Sequence, residues 1–360
     1  MSQEELPGPV TRSARVEHEV RDPARVQALV DAIPEDAQQM QRLRNRHVLS
    51  IAHFDAPLLL QILRLAGVIE KCKARDEHPL EGKILSNLFW DNSRSHTRLS
   101  FNSAWLRMGG SLLNFEKAVD QITLHRHAPD ELVQLCNAYG DAAVLRTIEG
   151  QELTEMVGMF EIPVINAGNG EDEHPTNAMA DLYTLFKWRP DLLDPKTAGN
   201  PLQIGIFGHH ARTRTIRSFL LALARFPHAV ERVVFFERRD NMFVCHEREQ
   251  LEDAGITIQL VEELHPMDSK MKAYQNIVPE LDVVYIHSGT PHQYTRMELI
   301  EGMSYLRKDA MVLNPRIQTQ VFSDLLNNST HNAYFTQIRG AVSLRMALFC
   351  GILGCRVGIC

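Results

Sequence analysis

Residues 83–110 read KILSNLFWDNSRSHTRLSFNSAWLRMGG. The apolar run at 84–90 predicts a buried strand, and a polar loop, 91–96, follows it. Phe101, Ala104, Trp105 and Met108 then recur at i, i+3, i+4 and i+7, the apolar face of a helix. A strand therefore feeds a helix N-terminus through a junction of hydroxyls and cations. Free backbone N–H groups and the helix dipole favour an anion there. Arg94, His96 and Arg98 add charge-assisted donors suited to phosphate. The plainer alternative is a strand–helix turn whose Ser and Thr merely cap the helix.

Working outward, the 360 residues suffice for two domains of about 100–200 residues each. The formal net charge of −7 argues against broad nucleic-acid binding while allowing a local cationic pocket. No apolar stretch is long enough for a bilayer, and the first 20 residues lack the apolar core of a signal peptide, so no membrane association and a cytoplasmic setting are expected. The six cysteines form no CxxC and read as free thiols. The 16 histidines show neither HExxH nor a zinc spacing, so neither a metal nor another cofactor is expected.

Along the chain, residues 23–44 predict a charged helix pair broken near Pro34. Residues 55–74 predict an amphipathic helix with Asp55 as N-cap and Pro57 in the first turn. A short apolar run lies at 112–115, and short buried strands are expected at 142–145 and 163–166, the last running into a Gly-rich loop at 167–170. Helices are expected from about Asp130 and from 175 to about 188. Beyond a Pro-containing linker at 189–201 the alternation restarts, with strands at 202–207, 232–236, 256–260, 283–286 and 311–313. Alternating strands and helices in both halves predict two doubly wound α/β domains with parallel sheets. Gly205 and Gly208 invite a dinucleotide reading, but GxGxxG is absent and Arg212 and Arg214 occupy the turn. The last apolar stretch, 338–353, predicts a buried helix that returns to the first domain.

Four segments then line up: DNSRSHTRLSF at 91–101, VLRT at 144–147, HPTNAMADLYT at 174–184 and YFTQIRGAVSLRMAL at 334–348. Together they resemble the aspartate/ornithine carbamoyltransferase family, the aspartate branch more closely, whose first motif is S-T-R-T-R-L-S-F and whose third is H-P-T-Q-x-L-x-D. FGHHARTRTIRS at 207–218 is similar to the family's G-D-x-x-x-G-R-T-x-x-S. The resemblance runs from about residue 45 to the end. It implies a carbamoyl-phosphate domain at 45–186 plus 338–360, an acceptor domain at 187–337 and an N-terminal extension at 1–44. It also implies a homotrimer, or an assembly of trimers, with sites between domains and subunits. The reaction implied is transfer of a carbamoyl group from carbamoyl phosphate to a small amine acceptor.

By the same resemblance, Thr97, Arg146 and His174 are carbonyl-oxygen donors, and Ser93, Ser95, Thr97 and Arg146 hold phosphate. Asn177 contacts the carbamoyl NH2, and Arg214 holds an acceptor carboxylate. Preorganised donors of this kind each contribute on the order of 3–4 kcal/mol to lowering the barrier. The plain alternatives are an ordinary ion pair for Arg146 and a helix cap for His174.

Several positions depart from the family. The phosphate loop, Ser93-Arg94-Ser95-His96-Thr97-Arg98, is one residue longer. Counted back from Thr97, His96 stands where the family has a phosphate-binding arginine, and Arg94 is the cation able to replace it. The family's S-x-x-K-K-G-E loop has no lysine counterpart at 122–130, where Arg126 and His127 are the nearest cations. Glutamine becomes Asn177, H-P-L-P-R becomes Val312-Leu313-Asn314-Pro315-Arg316, and the acceptor-holding Arg and Gln align with 287–290, His-Ser-Gly-Thr. The ornithine branch's D-x-x-x-S-M-G and H-C-L-P are absent, so these motifs assign the acceptor securely to neither aspartate nor ornithine. Three readings follow: an active carbamoyltransferase with a non-standard acceptor, a non-catalytic paralogue serving an assembly, or an enzyme using the pocket for another acyl phosphate.

Overall fold

The chain is described here in a computed structural model, over residues 20, 22–72, 78–90, 96–115, 129–147, 150–196, 199–207, 213–236, 245–261, 274–286, 302–314 and 329–355. Ser93, Arg94 and Ser95, the loop at 122–128, and positions 287–290, 315 and 316 lie outside these residues.

The N-terminal part contains α1 (Pro23–Ala32), α2 (Ala37–Gln41) and α3 (Ala56–Cys72). Asp22 and Asp36 cap the first two, and Asp55 Oδ1 accepts from the Leu58 N–H at 3.0 Å, as its placement before Pro57 predicts. Strand β1 (Ile84–Phe89) leads to α4 (His96–Arg107) and β2 (Ser111–Asn114), then α5 (Pro129–Tyr139) to β3 (Ala142–Thr147). Helix α6 (Gly150–Val157) leads to β4 (Val164–Asn169), and α7 (Pro175–Trp188) closes this half. The second half runs β5 (Leu202–Phe207), α8 (Arg214–Leu223), β6 (Val230–Phe236), α9 (Cys245–Asp253), β7 (Thr257–Val261), β8 (Val283–Ile286), β9 (Met311–Leu313) and α10 (Tyr334–Leu353).

Both sheets are parallel, in the orders β2-β1-β3-β4 and β7-β6-β5-β8-β9. Strands β3 and β4 are buried along their whole length, and the first four residues of β3 accordingly read as an apolar run rather than an alternation. In each sheet the chain winds outward from its first strand, then returns to add strands on the other side. The order therefore reverses between β1 and β3, and between β5 and β8. Ligands of open α/β sheets bind at the carboxyl ends of the strands flanking such a reversal.

One continuous core joins the two halves, drawing Leu85 and Val144 from the first sheet and Ile204 and Tyr285 from the second. Helix α7 lies in it, buried on every face. Helix α10 returns from β9 to pack on α3, α4 and α7, as its apolar composition predicts. Helix α1 packs on α3 and α7. Among the described residues, no helix is long and apolar enough to cross a membrane.

Four details differ from the sequence reading. His96 opens α4 instead of ending the loop. Strand β4 continues through Ala167, Gly168 and Asn169, where Gly and Asn read as a loop; Gly168 stays in the strand at φ +118°, a value that suits glycine. Helix α6 is an additional element, short and with Leu153 and Met156 buried on its face. Cys136, Cys350 and Cys355 are free, but Cys72 at the end of α3 is disulfide-bonded. Pairing depends on a Cα approach below about 7 Å, which composition does not encode.

Candidate active site

The carboxyl ends of β1 and β3 lie side by side, with Phe89 opposite Arg146 and the Trp90 N–H bonded to the Arg146 carbonyl at 3.0 Å. This is the reversal point of the first sheet. Arg146 is buried, and its Nη1 donates to the Ala167 carbonyl of β4 at 3.4 Å. Burial at a strand end excludes the plain surface ion pair. Beside it the first turn of α4 carries His96 and the buried Thr97.

Helix α7 begins at His174. Pro175 at the first helical position has no N–H to leave unsatisfied. The His174 ring makes no capping bond, so the helix-cap alternative fails. Its backbone N–H instead donates to Ser218 Oγ at 2.8 Å, across to α8. The preceding Glu173 is held by Ser50 and by the Ile51 N–H at 2.9 Å. With its backbone held on both sides, the imidazole is only 2% exposed, and among the described residues neither Nδ1 nor Nε2 has a hydrogen-bond partner. Such an orphan is costly, at about 1–3 kcal/mol, unless a ligand satisfies it.

Burial, first, then the positive fields of Arg146, Arg214, Arg345 and His96 push the His174 pKa well below its ordinary value. The ring is therefore neutral at pH 7, with one N–H to give and one lone pair to offer. A neutral donor amid several cations suits an anion with a polarisable oxygen.

Arg214 opens α8 at the carboxyl end of β5 and reaches across to the first half, where its Nη1 donates to the Gly170 carbonyl. Its guanidinium lies over Gly168, where a Cβ would come within 3.0 Å of Arg214 Nε. Glycine at 168 thus serves both the backbone angle and the approach of this arginine.

Asn177 sits one turn into α7 and is nearly buried. Its Nδ2 donates to Asp181 Oδ2 at 2.8 Å. His96, Asn177 and Asp181 border a cavity of ≈ 310 Å³ between α4, α7 and α10. The structure thus gathers His96, Thr97, Arg146, His174, Asn177 and Arg214 around the inter-sheet edge.

Two residues beyond the sequence reading belong to the same neighbourhood. Arg345 on α10 is buried, and desolvation lowers its pKa to about 9. It donates to Ser100 Oγ at 2.6 Å and stands 4.5 Å over the Phe101 ring. Ser100 in turn bonds the carbonyls of His96 and Thr97, so Arg345 steadies the first turn of α4. Asp181 is the other, its carboxyl pushed up to about 7 by burial. The available signal was an arginine and an aspartate on otherwise apolar helix faces.

Known proteins resemble this chain in sequence and in fold. Residues 46–187, which contain the whole first sheet, match the family described as aspartate/ornithine carbamoyltransferase, carbamoyl-P binding domain. The aspartate carbamoyltransferase catalytic subunit of Methanopyrus kandleri is 30% identical over 330 residues, covering 88% of this chain and 99% of that one. The same subunit from Clostridium botulinum strain Okra is 28% identical over 327 residues, covering 87% of this chain and all of its own length. Among solved structures, aspartate transcarbamoylase from Trypanosoma cruzi, in complex with carbamoyl phosphate and aspartate, shares the fold at a TM-score of 0.73 and 22% identity, over 89% of this chain and 99% of that one. The chain, matched almost end to end by such relatives, belongs to the aspartate/ornithine carbamoyltransferase family.

Proposed function

We propose that the protein transfers a carbamoyl group from carbamoyl phosphate to the amine of a small amino-acid-like acceptor. The observation that carries this is the neutral, unpartnered His174 ring amid Arg146, Arg214, Arg345 and His96. The amine nitrogen bonds to the carbonyl carbon, the carbonyl oxygen gains negative charge, and the C–O bond to phosphate breaks. The proton shed by the nitrogen passes to an oxygen of the leaving phosphate, which departs as the monoprotonated dianion. His174 and Thr97 donate to the carbonyl oxygen, and Arg146 neutralises both that oxygen and the departing phosphate, stabilisation worth about 3–4 kcal/mol per well-placed donor. Ser93, Arg94, Ser95 and His96 complete the phosphate grip, Asn177 meets the carbamoyl NH2, and Arg214 holds an acceptor carboxylate.

In this reading residues 45–186 with 338–360 form the donor domain and 187–337 the acceptor domain. Three copies share their sites. Carboxylate binding by Arg214 favours an amino-acid acceptor, as aspartate is for the relatives named above.

Calorimetric titration with fresh carbamoyl phosphate, against phosphate alone, tests the reading. Binding well above that of phosphate is expected, after which a panel of amines identifies the acceptor by phosphate release. No binding beyond that of phosphate would favour a non-catalytic paralogue or another acyl phosphate.

A further inference from the structure

Asp181 lies four residues after Asn177, on the same face of α7. Its carboxyl group is 2% exposed and makes three hydrogen bonds. Oδ2 accepts from Asn177 Nδ2 at 2.8 Å and from the Tyr285 hydroxyl of β8 at 3.0 Å. Oδ1 accepts from Gln337 Nε2 of α10 at 2.8 Å. The group therefore joins the helix that carries His174 to the second sheet and to the C-terminal helix.

The direction of these bonds is determined from one end. The Asn314 backbone N–H can only donate, and it donates to Gln337 Oε1 at 2.9 Å. Gln337 must then turn its NH2 to Asp181, so Asp181 must accept at Oδ1. Its other oxygen accepts as well, from Asn177 Nδ2 and the Tyr285 hydroxyl. At Oδ2 it therefore draws the NH2 end of the Asn177 amide toward itself and leaves Oδ1 of Asn177 for the site. An amide that could turn over would offer either a donor or an acceptor there, with no preference between an NH2 and a CH3 group on the bound acyl phosphate.

We propose that Asp181 is a positioning residue: it orients the Asn177 amide so that Asn177 Oδ1 accepts a hydrogen bond from the carbamoyl NH2, and this makes the site choose carbamoyl phosphate over acetyl phosphate. The proposal rests on the reading of the donor given above. It assigns to one buried carboxylate the distinction between an acyl phosphate carrying NH2 and one carrying CH3, while the phosphate half is held by other residues. Tyr285 and Gln337, on the second sheet and on α10, hold the carboxylate in place.

The test is calorimetry on the full chain with carbamoyl phosphate, acetyl phosphate and inorganic phosphate, for the wild type and for Asp181→Asn. The wild type is expected to bind carbamoyl phosphate about tenfold tighter than acetyl phosphate, the effect of one hydrogen bond. In Asp181→Asn the preference should fall to about twofold or less, with phosphate affinity unchanged. Should that variant fail to fold, Asp181→Ser, whose hydroxyl also both donates and accepts, takes its place with the same expected loss. A folded variant that keeps the full preference overturns the role of Asp181 alone. Equal affinity of the wild type for the two acyl phosphates overturns the inference but not the reading of the donor. Carbamoyl phosphate binding no tighter than phosphate in the wild type overturns that reading, and the inference with it.

Discussion

At the scale of single residues, His174 has the clearest consequence. Its pKa is depressed by burial and by neighbouring cations. The unfolded chain takes up a proton at this position below about pH 6.5, and the folded chain resists it until the pH is far lower. Below about pH 6.5 the unfolded state therefore holds more protons, and stability rises with pH. The stabilisation is complete above that value and is lost on acidification. Urea unfolding between pH 5 and pH 8 should show a stability slope from this group of at most about 1.4 kcal/mol per pH unit on the acid side. His174→Asn should flatten that slope; an unchanged slope would mean that the ring titrates normally.

His96 and Arg94 make a second comparison at this scale. The phosphate loop gained one residue, and His96 took a position inside the first turn of α4. A lone imidazole is a weaker, pH-dependent partner for phosphate, so Arg94 is expected to be the main phosphate cation. Arg94→Ala should weaken carbamoyl-phosphate binding about 10- to 100-fold, and His96→Ala considerably less. The reverse order in calorimetry would show that the loop is registered differently.

At the scale of elements, the packing of α7 decides how the two halves meet. Its buried faces include Lys187, whose ammonium pairs with Glu70 of α3 at 2.6 Å and stands 5.1 Å over the Tyr183 ring. The Tyr183 hydroxyl donates to the same carboxylate at 2.8 Å. Removing the lysine leaves Glu70 without its cation, although 28% of the Glu70 side chain stays in water. Lys187→Met should therefore cost about 2–3 kcal/mol, below the 3–5 kcal/mol of a fully buried pair. Adding Glu70→Gln, which removes the unpaired charge and keeps an acceptor for the Tyr183 hydroxyl, should recover most of that loss. Chemical denaturation of the two variants checks both values.

The same helix shows what was legible from local pattern. Helices α3, α4 and α7 were marked by Asp55, by the Phe101–Trp105–Met108 spacing and by Pro175, because caps and periodicity act within a few residues. The bonds that make α7 a junction come from Ser218, Tyr285 and Gln337, 44 to 156 residues away in sequence. No window along the chain contains them.

At the scale of the whole molecule, the site stands where β1, β3 and β5 deliver their carboxyl ends and where α10 returns from the second half to the first. Arg214 crosses from α8 to the β4 loop, so the two halves must hold their spacing for the cations to converge. By resemblance the family's S-x-x-K-K-G-E loop falls at 122–130, and the proposed active unit is a homotrimer with shared sites. Activity should then fall with the trimer on dilution, followed by analytical ultracentrifugation alongside phosphate release. A strictly monomeric species with full activity would rule this out.

By itself, the sequence determined the parallel α/β class, the places of eight of the nine strands among the described residues and the helix that returns at the C-terminus. Burial on both faces writes a short apolar run at each strand, and turn and cap residues mark its ends. Its spaced motifs, read as a resemblance, also pointed to Arg146, His174, Asn177 and Arg214. Only the tertiary structure decided that the His174 ring stands buried and unpartnered, that Arg345 steadies the first turn of α4, and that Asp181 is bonded from three elements. Those facts depend on strand order and on contacts between residues far apart in sequence. Their energies come from desolvation and from converging charges, which exist only once the sheets and helices have packed.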